Sequence, residues 1–109
     1  MSHEKYAACI DACNTCAAAC NHCSVACLRE PDIAKMVDCI RADMDCAAAC
    51  QFTAAVMARD SDFIAEVCRM CAELCERCAA ICEKHSADHC QECAKACSDC
   101  AAECRKMAA

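Results

Sequence analysis

The chain has 109 residues, a net charge of −6, 19 cysteines, one tyrosine, two phenylalanines, and no glycine or tryptophan. The length suits a single domain over residues 1–109. The acidic balance, with no cluster of Lys and Arg, excludes the phosphate grip of a nucleic-acid binder, and no apolar run approaches the ~20 residues of a membrane span.

The first predicted helix covers about residues 3–28 and stops before Pro31, which disfavours helical geometry at Glu30. Its cysteines fall at 9, 13, 16, 20, 23 and 27, a strict alternation of four- and three-residue steps. That is the rhythm of a buried helical seam, with thiols where leucines usually stand. The second helix, about 33–58, is sparser, with Cys39, Cys46 and Cys50 on the same grid. It ends near Arg59-Asp60-Ser61-Asp62, which supplies cap residues for the next helix. The third, about 62–84, carries Cys68, Cys71, Cys75, Cys78 and Cys82. A break at His85-Ser86-Ala87 follows, with Ser86 as the expected cap. The fourth, about 87–107, carries Cys90, Cys93, Cys97, Cys100 and Cys104. Short connections imply antiparallel neighbours, so the expected fold is all-α, an up-down-up-down four-helix bundle with a cysteine-lined core.

Alanine and cysteine supply more than two-thirds of the hydrophobic residues, and only 11 Ile, Leu and Val remain. An ordinary aliphatic interior is therefore out of reach, and something else must fill the seam. Cysteines four apart on a helix have Cβ atoms roughly 5–6 Å apart, a gap that a sulfur–metal–sulfur bridge with bonds of about 2.3 Å can span. Eight such clamps are readable: Cys9/Cys13, Cys16/Cys20, Cys23/Cys27, Cys46/Cys50, Cys71/Cys75, Cys78/Cys82, Cys93/Cys97 and Cys100/Cys104. Soft thiolates select Cu(I), zinc or iron–sulfur clusters. One Cu(I) per thiolate is neutral, whereas zinc on four thiolates leaves two negative charges per site, with no Lys or Arg on the grid to offset them. Multiple Cu(I) ions are the best fit. A zinc or general soft-metal buffer, and a thiol redox or structural protein with disulfides, remain alternatives.

Extending the grid adds candidate ligands. Met36 and His85 fall on it at the end that also holds Cys27 and Cys90, with His89 beside them. His85 ranks ahead of His89. Asp43 falls on the grid between Cys39 and Cys46, where a carboxylate is costly unless paired; it is a candidate ligand if it faces inward and a surface group if helical drift turns it out. Tyr6, Met57, Ile64 and Met107 gather at the opposite end and close it. His22 turns outward, and His3 is expected to be terminal and unengaged. No catalytic constellation is readable, so an enzyme is not expected. The opening MSHEKYAACIDAC lacks an apolar signal core of ~7–15 residues, and a cytoplasmic location is expected. Reducing conditions there favour metal binding over disulfides, and the odd count of 19 excludes complete pairing.

The CxxxCxxC stripes, the sparse second helix with Cys39 and Asp43-x-x-Cys46-x-x-x-Cys50, and the HxxxHC run at His85, His89 and Cys90 resemble the bacterial copper storage proteins, cytosolic branch. The resemblance covers essentially the whole chain. It implies a four-helix bundle, commonly a homotetramer, that holds many Cu(I) ions through the 19 cysteines. It further implies extra ions at the open end on His, Met or carboxylate. A copper chaperone or a small-molecule thiol is the expected partner for loading and release.

Overall fold

The computed structural model describes residues 2–109; Met1 and the side chains of Ser2 and His3 lie outside the described part. Four helices follow one another, with no strand among the described residues: α1 Ala7–Leu28, α2 Val37–Ala58, α3 Ile64–Cys82 and α4 Asp88–Ala108. Single 3-10 turns, Ser2–Tyr6 and Ile33–Met36, lead into α1 and α2. The bundle measures 47 × 19 × 17 Å.

Sulfur contacts fix the helix directions. Between α1 and α4, Cys9 meets Cys104, Cys16 meets Cys97 and Cys27 meets Cys90. Between α2 and α3, Cys39 meets Cys82, Cys46 meets Cys75 and Cys50 meets Cys71. Between α1 and α2, Cys16 meets Cys46 and Cys23 meets Cys39. Each number rises on one helix as it falls on the next, so the neighbours are antiparallel and the helices form a closed square.

Small residues allow the close approach. In Cys16-Ala17, Cys46-Ala47, Cys71-Ala72, Cys78-Ala79, Cys93-Ala94 and Cys100-Ala101 the alanine is buried beside the thiol. It sits on the shoulder of the seam, where a larger side chain would push the neighbouring helix away.

The turns explain where the helices stop. With no glycine in the chain, α2 ends by placing Asp60 in the left-handed region, at φ 52°. Its amide donates to Met57 O at 3.1 Å and that of Ser61 to Val56 O at 3.0 Å, a Schellman turn. Ser61 Oγ accepts the Phe63 amide at 3.1 Å. Ser86 does not cap α4. The extended residue at the helix start is Ala87, ψ 140°, so the Ser86 hydroxyl stands one residue too early to reach the first free amides. The loop is held instead by the Gln91 side-chain amide, which donates to His85 O at 2.7 Å and to Glu83 O at 3.1 Å.

Candidate metal centre

All 19 cysteines are buried, and all carry free thiols. They form one continuous column along the bundle axis. Six of the eight intrahelical clamps have Sγ–Sγ separations between 3.8 and 4.0 Å: Cys16/Cys20, Cys23/Cys27, Cys71/Cys75, Cys78/Cys82, Cys93/Cys97 and Cys100/Cys104. Three sulfurs around one ion with bonds of about 2.3 Å stand ~4.0 Å apart, and two in a line stand ~4.6 Å apart. The clamps therefore suit three-coordination almost as they are, and linear coordination after a small opening. Cys39 and Cys82, at 3.1 Å, are the tightest pair and must separate most to admit an ion.

Groups of four thiols lie within 4.8 Å of one another at successive levels: Cys23, Cys27, Cys39 and Cys90; Cys20, Cys78, Cys93 and Cys97; Cys16, Cys20, Cys46 and Cys97; Cys16, Cys46, Cys50 and Cys75; Cys13, Cys71, Cys100 and Cys104. Cys16, Cys20, Cys46 and Cys97 each belong to two of these groups. Shared sulfurs cannot serve separate tetrahedral sites at once, but they bridge neighbouring low-coordinate ions. Cys9 joins the column through Cys104, at 3.7 Å. Cys68, also fully buried, lies on the first turns of α3 beside Ile64.

Asp43 is fully buried inside the column, not turned out by helical drift. Twist within a bundle this narrow is absorbed by supercoiling, which keeps grid positions facing inward. Its Oδ1 accepts Cys93, Cys78 and Cys82 at 3.2, 3.3 and 3.4 Å, and Cys39 donates to Oδ2 at 3.8 Å. Burial pushes its carboxyl up to about 10, so it is protonated at neutral pH. Thr53, the other buried polar side chain, donates to Ala49 O at 2.7 Å and so uses its hydroxyl on its own helix. No Lys or Arg side chain is buried among the described residues. Burial also raises the thiols at the end away from Tyr6, Cys27 well above its ordinary range and Cys90 to about 11.

The two ends differ as the grid implies. At one, Met57 and Ile64 are buried, Tyr6 and Met107 pack against the core, and the Tyr6 hydroxyl donates to Asp60 Oδ1 at 3.1 Å. At the other lie Cys23, Cys27, Cys39 and Cys90 with the candidate ligands around them. Of the two histidines, His89, ranked second from the sequence, lies nearer the thiols. His89 Nδ1 lies 3.5 Å from Cys23 Sγ and from Cys90 Sγ, and 3.9 Å from Cys27 Sγ. His89 Nε2 is buried without a hydrogen-bond partner. His85 sits beyond the end of α3, with Nε2 3.3 Å from Asp38 Oδ1, and shares a hollow with the buried Met36. His22 is exposed. The sequence signal for His89 was its place four residues before Cys93, which carries the α4 stripe back by one turn. Asp38 had no such signal, because its partner is 47 positions away.

Among the described residues, a column of shared thiols with one buried carboxylic acid and no interior cation can neutralise many singly charged soft ions. The sequence profile of the Csp copper storage protein family matches residues 2–109. The chain belongs to the copper storage protein family. Among solved structures, this family member is similar to the Cu(I)-bound copper storage protein BsCsp3, at 50% identity over 94% of this chain and 96% of that one, TM-score 0.90. Apo-Csp3 from Bacillus subtilis matches at 49% identity over 94% and 97%, TM-score 0.88. A cytosolic copper storage protein from Streptomyces lividans, carrying five coppers, matches at 40% identity over 98% and 94%, TM-score 0.93. Comparison with curated proteins gives no match.

Proposed function

We propose that this chain is a cytoplasmic Cu(I) store that holds about one ion for each of its 19 cysteines, without a catalytic role. The observation that carries this reading is the sharing of thiols between successive groups in an interior that has no cation. A neutral Cu(I)–thiolate column avoids the large cost of burying net charge. Four or five zinc ions would leave surplus thiolate charge with nothing inside to offset it. Free, closely layered thiols on all four helices also favour a metal store over a disulfide scaffold.

Loading begins at the end bearing Cys23, Cys27, Cys39 and Cys90. His89, His85 and Met36 take ions there, and Asp43 joins the thiols of Cys39, Cys78, Cys82 and Cys93. A copper chaperone or a small-molecule thiol delivers and removes the ions. The copies assemble as a homotetramer, for which the exposed Phe52 on α2, Phe63 just before α3 and Met70 on α3 supply a shared apolar surface.

Anaerobic titration of the reduced protein with Cu(I), against a competing chelator, tests the reading. Saturation close to 19 ions is expected. Saturation at about four or five would replace the storage column with discrete tetrahedral sites.

A further inference from the structure

We propose that Asp38 is a positioning residue for copper uptake: it holds the His85 ring through Nε2 and so leaves Nδ1 as the nitrogen that takes Cu(I). The inference rests on the reading of His85 as a ligand at the open end.

The Asp38 carboxylate is itself fixed. It stands in the first turn of α2, where the helix field favours negative charge, and its Oδ1 accepts the Cys39 amide at 2.7 Å. The same oxygen faces His85 Nε2 at 3.3 Å. The His85 backbone is fixed as well. Its amide donates to Cys82 O at 3.1 Å, and its carbonyl accepts the Gln91 amide at 2.7 Å. With main chain and ring tip both held, and the side chain only 17% exposed, the imidazole has little freedom to turn.

A neutral imidazole that donates from Nε2 keeps its lone pair on Nδ1. A carboxylate behind a histidine in this way fixes the tautomer and makes the free nitrogen a better donor to a metal. Met36, the other soft candidate ligand at this end, lines the same hollow as His85. An imidazole already held in one orientation and one tautomer binds an incoming ion without first having to turn.

Two measurements on the reduced full-length protein test this. Long-range proton–nitrogen spectra of histidine-labelled apo protein read the tautomer directly. The Nε2–H form of His85 is expected in the parent and in Asp38→Asn, whose Oδ1 still accepts, and a mixture in Asp38→Ala. Stopped-flow uptake from a Cu(I)–chelator complex reads the consequence. The initial rate should fall several-fold in Asp38→Ala, recover in Asp38→Asn, and show no further loss when Asp38→Ala is added to His85→Ala. An Nδ1–H tautomer in the parent overturns the proposal. So does an equal slowing by Asp38→Ala with and without His85, which would make Asp38 only a cap for Cys39 or a surface charge. Parent-like uptake by His85→Ala, with the tautomer pattern intact, overturns instead the reading of His85 as an uptake ligand and removes Asp38 from copper chemistry. Circular dichroism of each variant checks that the bundle has formed.

Discussion

A thiol packs as a small apolar group until a metal ion displaces its proton to solvent, and this double character explains why cysteine can serve as both core and ligand. Asp43 is the residue that breaks the pattern. A carboxylate among thiols would be costly, so the group stays protonated, at about 10, and accepts from the thiols of three helices. Its acid is raised above the ordinary value of 3.8, so its favourable contribution is complete below that pH and is lost as pH rises toward 10. Between pH 5 and about 6.5 the thiols of the unfolded chain, ordinarily near 8.5, stay protonated and leave Asp43 as the group that titrates there. Apo stability should therefore fall with rising pH across that window, by up to about 1.4 kcal/mol per pH unit. Asp43→Asn should flatten the profile, as read by urea unfolding of reduced apo protein; equal slopes would show that Asp43 is not the group responsible. At this scale the grid placed Asp43 and the thiols, because inward direction follows from spacing alone. It ranked His89 below His85, because His89's approach to the thiols comes from the first turn of α4 in a gap that only the packed helices create.

The helices are defined more by what is small than by what is large. Buried alanine beside the thiol at six positions brings the helices close, and the sulfur column depends on that closeness. Ala72, fully buried on α3, is the sharpest test. Ala72→Leu should destabilise the apo protein by about 1–3 kcal/mol through overpacking. It should also lower copper capacity, because wider spacing separates the layers Cys50/Cys71 and Cys46/Cys75. Thermal unfolding and Cu(I) titration of one variant read both effects, and a loss of stability with full capacity would uncouple the spacing from the site. The antiparallel order was legible in the sequence because four cysteine stripes with short connections have few other arrangements. The helix ends were less so. Cap residues near 60 and 86 were visible, but the backbone used Asp60 as a left-handed stop and began α4 at Ala87, choices made by loop closure between packed helices.

For the whole molecule, cysteine packs as a small hydrophobe and the helices are rich in strong helix formers, so the bundle can close before any ion binds. The reduced apo protein should therefore show a fully helical circular dichroism spectrum, and copper should raise its melting temperature in steps as load increases. One site held at 100 times its dissociation constant adds about 2.7 kcal/mol, roughly 10–20 °C for a chain of this size. A coil-like apo spectrum that becomes helical only with copper would contradict this order of events. The covered end has a consequence of its own. Tyr6, Met57, Ile64 and Met107 cover one end of the thiol column, and Tyr6 is latched to the turn at Asp60. A column filled from one end keeps its contents in order of arrival. If ions pass only through the Cys27 and Cys90 end, the earliest captured lie deepest, and a cell that draws on the store recovers its most recent copper first.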